Sequence, residues 1–149
     1  MRAVVQRVSR ARVTVGGRTT GEIGTGLAVL VGVGVDDAET DAKQLADKIV
    51  NLRIFRDGDG LMNRSVQDEG GAVLLISQFT LHGDARKGRR PSFIDAAREE
   101  VAKPLYERVG QLLERQQIPV AYGIFGARMS VELINEGPVT ILLDTKKLF

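Results

Sequence analysis

Apolar and polar residues alternate from the start of the chain. Val4, Gln6 and Val8 fall on one face and Val5 and Arg7 on the other, the two-residue period of a half-buried strand. Arg12-Val13-Thr14-Val15 then runs into Gly16-Gly17, which predicts a second short strand closed by a turn before a third at 18–23. Residues 27–35 are almost wholly apolar and rich in valine, the pattern of a strand covered on both faces. Asp36 and Asp37 are then candidate helix caps, and Ala42, Leu45, Ala46 and Ile49 recur at the spacing of one helical stripe. A short strand is expected at 52–55, ended by the Asp57-Gly58-Asp59-Gly60 turn signal, and an apolar strand at 72–79. Residues 81–91 are irregular and basic. A second helix is expected from Pro104, burying Leu105, Val109, Leu112 and Leu113, followed by strands near 120–124, 129–134 and 139–144.

Strands that alternate with helices in the middle and pair as hairpins at the ends predict one α/β domain over residues 1–149. Its mixed sheet would be layered against two main helices. Two helices cannot cover both faces of some eight strands, so a second sheet layer or a partner subunit must cover the rest. A three-layer β/β/α sandwich is the expected architecture.

Composition then removes whole classes of chemistry. The chain has no cysteine and a single histidine, His82, so thiolate nucleophiles, disulfides, zinc–cysteine sites and histidine clusters are all excluded. No metal site or cofactor is expected. No apolar run approaches the roughly 18 residues of a membrane span, and the N-terminus lacks the apolar core of a signal peptide. A soluble cytoplasmic protein is the expectation. Lys and Arg number 21 against 19 Asp and Glu, so any nucleic-acid reading must rest on where the positive charges cluster.

They cluster in Arg86-Lys87-Gly88-Arg89-Arg90-Pro91. A solvated loop is the plain reading, but arginine's planar fork suits phosphate and Gly88 allows close approach, so a phosphodiester partner is favoured. Just before it, Ser77-Gln78-Phe79-Thr80-Leu81 ends a strand with three hydrogen-bonding side chains around an aromatic, where sheet rigidity can hold a pocket. Near the C-terminus, Asn135-Glu136-Gly137-Pro138-Val139-Thr140 sets a Gly-Pro step inside a strand-like run. Proline cannot donate to a ladder, so the step belongs at an edge, bulge or turn, and a cis X-Pro bond costs only about 0.5–1 kcal/mol there. Such a step can form a recognition surface from backbone alone.

Other signals dissolve. Gly32-Val33-Gly34 lacks the third glycine of a dinucleotide loop, and Asp57 and Asp59 lack the downstream glutamate of a calcium loop. His82 reads as a loop or dimer-surface residue. Tyr122, Phe125 and Met129 read as core or pocket lining.

Taken together, Met1-Arg2-Ala3-Val4-Val5-Gln6-Arg7-Val8, Ser77-Gln78-Phe79-Thr80-Leu81, Arg86-Lys87-Gly88-Arg89-Arg90-Pro91-Ser92-Phe93 and Asn135-Glu136-Gly137-Pro138-Val139-Thr140 resemble the D-aminoacyl-tRNA deacylases over essentially the whole chain. The resemblance implies a homodimeric cytoplasmic hydrolase that cleaves D-amino acids, and mischarged glycine, from the 3′ end of tRNA. It implies that Gly137 and Pro138 form a Gly-cis-Pro motif inserted into the other subunit's site. Ser77, Gln78, Phe79 and Thr80 would receive the terminal adenosine and aminoacyl group, with Met129 in the substrate pocket. Arg86, Lys87, Arg89 and Arg90 would meet tRNA phosphates, with RNA and not DNA as the partner. Two positions depart from the family pattern: His82 where a tyrosine or similar residue is expected, and Arg128 where an acidic residue is common.

An aminoacyl ester is already activated, so positioning and oxyanion stabilisation by the Phe79 and Thr80 N–H groups are the expected means of catalysis. The substrate's own ribose hydroxyl would activate water. Thr80 as a covalent nucleophile is the rival, and no activating base is visible for it. Two other readings stand beside the deacylase: an RNA-binding module without chemistry, and a hydrolase of small D-amino-acid esters that ignores RNA.

Overall fold

The valine-rich run forms the centre of a six-stranded mixed sheet in the computed structural model, which describes residues 1–149. Its strands are β1 (Arg2–Val15), β2 (Arg18–Ile23), β3 (Gly26–Gly32), β6 (Ala72–Ser77), β7 (Val120–Tyr122) and β8 (Ser130–Asp144). A separate two-stranded ladder joins β4 (Phe55–Arg56) and β5 (Met62–Arg64). The main sheet runs β2-β1-β3-β6-β7, with β8 on the free side of β1. β1 is antiparallel to β2, β3 and β8, whereas β3, β6 and β7 are parallel.

The sheet's two faces carry two apolar clusters. Odd positions of β3 (Leu27, Val29, Val31) meet Leu45 and Ile49 of α1 (Glu39–Asn51) and Tyr106, Val109 and Leu113 of α2 (Glu99–Arg115). On the other face Ala28, with Leu74 and Ile76 of β6, packs under Val8, Ala11, Val13 and Ile23, where β1 and β2 curl back over the sheet. Each fully buried Val or Leu stabilises the fold by about 1.5–3 kcal/mol, so β3 is the fold's anchor. The result is one α/β domain with a mixed sheet and two helices. No helix is long and apolar enough to cross a membrane.

The structure corrects several sequence expectations. The strands read at 4–8 and 12–15 are one strand, and those at 129–134 and 139–144 are likewise one, β8. α2 starts at Glu99, five residues before Pro104, which sits inside the helix on its exposed side. Proline's missing N–H leaves the Glu100 carbonyl to solvent there, so the helix continues through it. The cap of α1 is Ala38, not an aspartate, and its N–H donates to Asp41 Oδ2 at 2.9 Å. The expected strand at 52–55 shrinks to Phe55–Arg56, and β6 stops at Ser77, ahead of a single 3₁₀ turn, Phe79–His82.

Candidate active site

That 3₁₀ turn places the polar strand end at the mouth of a cavity of about 380 Å³. β6 delivers Ser77, and the turn that follows delivers Gln78 and Phe79. The opposite wall comes from Phe125, Ala127 and Met129 before β8, and the floor from Ala102 and Tyr106 of α2. The lining is mostly apolar, with Glu99 and the Ser77–Gln78 pair as its polar points. Tyr106 is buried, donates through its hydroxyl to Leu75 O at 2.8 Å, and has its pKa pushed up by that burial. It braces the floor and does not titrate near neutrality.

The first N–H bonded within the turn is that of Leu81, which donates to Gln78 O at 3.2 Å. The N–H groups of Phe79 and Thr80 precede that bond, where a helical turn leaves its donors free. Thr80 is exposed, and its hydroxyl accepts from Gln78 Nε2. That pairing offers it no proton acceptor of the kind a covalent nucleophile needs.

Gly137 and Pro138 do not line this cavity. They are exposed in a bulge of β8: Gln6 pairs with Thr140 and Val8 with Asn135, so four residues stand opposite Arg7 alone. The Gly137-Pro138 bond is cis. The Asn135 side chain closes the bulge, accepting from Val139 N at 2.7 Å and donating to Val139 O and Thr140 Oγ1 at 3.1 Å each. From below, Arg7 donates through Nε to Glu136 O at 3.0 Å and through Nη1 to Ile54 O at 2.7 Å. Gly137 has φ +134°, and a Cβ there would stand 3.0 Å from Arg7 Nη2, so the position requires glycine. Arg7 pairs with Leu27 on β3, four residues from Val31 on the cavity wall, about 13 Å along the strand. Within one protomer, the step and the cavity lie apart.

The basic segment is an ordered hairpin-like loop, closed by Asp84 N donating to Ser92 O at 2.8 Å and Ser92 N to Asp84 O at 2.9 Å. Arg86 spends its guanidinium on Asp84 (2.6 and 2.9 Å), which holds that carboxyl down at about 2. Lys87, Arg89 and Arg90 are exposed and form no ion pair. The loop's base meets the cavity lip where Phe93 packs edge-on against Phe79, ring centroids 5.2 Å apart.

The D-Tyr-tRNA(Tyr) deacylase family model matches residues 4–144. The chain belongs to the D-aminoacyl-tRNA deacylase family. D-aminoacyl-tRNA deacylases of Symbiobacterium thermophilum and Anaeromyxobacter dehalogenans are 57% and 59% identical to it over 149 residues, covering all of this chain and 99% and 100% of theirs. A solved structure described as a c-Myc DNA unwinding element binding protein superposes with TM-score 0.91 at 40% identity, covering 97% of this chain and 99% of that one. Another, of a probable eukaryotic D-amino acid tRNA deacylase, shares the fold with TM-score 0.79 at 18% identity over 95% and 97% of the two chains.

Of the residues proposed from this deacylase's sequence, the cavity gathers Ser77, Gln78, Phe79 and Met129; Thr80 follows Phe79 in the turn and is exposed without lining the cavity. It leaves out Gly137, Pro138 and the basic loop. Sequence reading missed Tyr106, Glu99 and Arg7. Tyr106 carried only a helical-period signal, Glu99 lay ahead of the expected helix and carried none, and Arg7 looked like an ordinary strand residue. His82, read as a loop or dimer-surface residue, is buried within the single chain, because its ring fills a notch left by Gly32 and Gly34.

Proposed function

We propose that the protein hydrolyses the ester joining a D-amino acid, or mischarged glycine, to the 3′ end of tRNA. The observation that carries this reading is a turn whose first two amides, Phe79 and Thr80, precede its first internal bond and whose Phe79 lines an apolar cavity, in a chain of this family. The ester needs no strong protein nucleophile. Its carbonyl oxygen would take the two N–H groups as negative charge develops, a type of contact whose loss typically costs about 10²–10³ in rate. The neighbouring ribose hydroxyl would activate the attacking water. Ser77, Gln78 and Met129 would hold the aminoacyl-adenosine, and Lys87, Arg89 and Arg90, with Arg86 partly occupied by Asp84, would meet the phosphates behind it.

Chirality would be read by exclusion. The Gly137 and Pro138 carbonyls of a second copy would close over the substrate α-carbon, where an L side chain collides with backbone and a D side chain or glycine does not. Support for a homodimer is that neither Gly137 nor Pro138 lines the cavity of its own protomer. The working unit would be two β/β/α sandwiches in the cytoplasm, each completing the other's site. The test is deacylation of D-, L- and glycyl-tRNA by the purified protein. D and glycyl substrates should be cleaved and L spared; equal rates on D and L would overturn the reading.

A further inference from the structure

His82 ends the turn that carries the Phe79 and Thr80 amides. It is only 9% exposed, and its Nε2 is buried without a hydrogen-bond partner. Two glycines make room for it: a Cβ on Gly32 would lie 3.1 Å from its Cδ2, and one on Gly34 3.0 Å from its Cε1. Those two carbons flank Nε2, so the nitrogen points into the glycine notch at the end of β3. The rest of the turn is tied by Gly83 N to Thr80 O at 2.9 Å and by Arg2 Nη1 to Leu81 O at 2.9 Å.

We propose that His82 is a positioning residue of the reaction, holding the Phe79 and Thr80 amides in the turn beside the cavity only as the neutral imidazole, so that the site switches off when the ring gains a proton. This rests on reading those amides as the oxyanion donors. A protonated ring would carry its second N–H and a full charge into the glycine notch, where Nε2 has no hydrogen-bond partner and the Gly32 carbonyl offsets only part of the cost of burial, a cost relieved by leaving the notch and taking the turn with it. The charges around it are of both signs and do not outweigh burial. Arg2 of β1 and the Met1 ammonium repel an imidazolium. Asp37 attracts one, but its two oxygens already accept from Met1 N at 2.7 Å and Gly34 N at 2.6 Å. Asp84, Arg86 and Asp95 line the cavity of about 630 Å³ on the ring's outer side, and Asp36, Asp144 and Lys146 a second of about 210 Å³; Asp84 pairs with Arg86, Asp144 with Arg2 and Lys146 with Asp41, while Asp36 and Asp95 form no ion pair. Burial is the main force holding the pKa of His82 below its ordinary 6.5, ahead of the opposing Gly32 carbonyl.

The chain's single histidine makes the test direct, because one imidazole resonance reports the titration. We expect an NMR midpoint below that of a free imidazole, with the Phe79 and Thr80 amide shifts moving at the same pH. The kcat on D-aminoacyl-tRNA should fall through that midpoint by close to tenfold per pH unit, with KM little changed. H82F, whose ring fills the notch without a proton to gain, should start slower and lack this acid limb; H82Q serves if H82F does not fold. An identical acid limb in wild type and variant, or amides that ignore the imidazole titration, would overturn the proposal. Amides that follow the imidazole while kcat stays flat would overturn the oxyanion reading beneath it, a result separable from the D/L comparison.

Discussion

The Nε of Arg7 donates to the Glu136 carbonyl across 3.0 Å, while the same guanidinium reaches Ile54 O at 2.7 Å, so one buried side chain fixes the bulge of β8 to the loop after α1. Arg7→Ala leaves the buried Ile54 carbonyl without its donor, which costs about 1–3 kcal/mol, and the partly buried Glu136 carbonyl without its own, which costs less. We expect about 3 kcal/mol lost in denaturant unfolding. The selectivity for D over L substrate should narrow in the protein that remains folded, because Glu136 directly precedes the Gly137-Pro138 step. A variant with unchanged unfolding midpoint would show that the two bonds carry no net weight.

Thr80 contributes its backbone and not its hydroxyl in the proposed chemistry. Its hydroxyl is engaged only by Gln78. Thr80→Ala should therefore keep kcat within about tenfold of wild type, whereas loss of an essential nucleophile costs several powers of ten. Trapping of an acyl-enzyme in single-turnover experiments would decide for the covalent route.

Three cations of the 86–90 loop lack ion-pair partners, and Arg86 has one. Replacing Lys87, Arg89 or Arg90 by Ala should raise KM for aminoacyl-tRNA and flatten its logarithmic salt dependence by about one unit per lost phosphate contact. Arg86→Ala should do less. Hydrolysis of a D-aminoacyl-adenosine should be indifferent to all four. If that short substrate suffers equally, the loop acts on the cavity and not on RNA.

Asp41 links helix α1 to the C-terminal segment. Burial opposes its ionisation, but donation from Thr145 Oγ1 at 2.6 Å, Ala38 N at 2.9 Å and Lys146 Nζ outweighs that, bringing its pKa from 3.8 to about 2. A carboxyl with a depressed folded pKa stabilises the fold above its unfolded value. That stability, about 2 kcal/mol, is lost as pH falls from near 4 toward 2. Asp41→Asn should unfold earlier at neutral pH and show a shallower loss of stability over that acid range in chemical denaturation.

Legibility from sequence followed the range of the interactions. The β3 core and the α1 stripe were legible because 27–35 and Ala42, Leu45, Ala46 and Ile49 carry their periods locally. The continuity of β1 was hidden by exposed Ser9 and Arg10, which break the alternation where the strand bends and its ladder with β8 shifts register. The start of α2 was hidden because its first turn, Glu99 and Glu100, carries charge and no apolar stripe. The site's motifs were readable as segments, but their supports were not. Arg7 meets partners 47 and 129 residues away, and His82 is buried by glycines some 50 positions earlier. Such pairings exist only once the sheet has formed.

The stitched bulge at 135–140 also bears on how such a protein can evolve. Its Gly137-Pro138 step carries no side chain beyond the proline ring, is held by Asn135 and Arg7, and is shaped by a glycine that tolerates no side chain. Random substitution there finds almost nothing to retune, and most of what it finds breaks the scaffold. If the step reads the substrate as proposed, drift in substrate range is channelled to the cavity wall, where Phe125, Ala127 and Met129 can change one at a time, and a saturation library over those three positions is the place to look for altered side-chain preference.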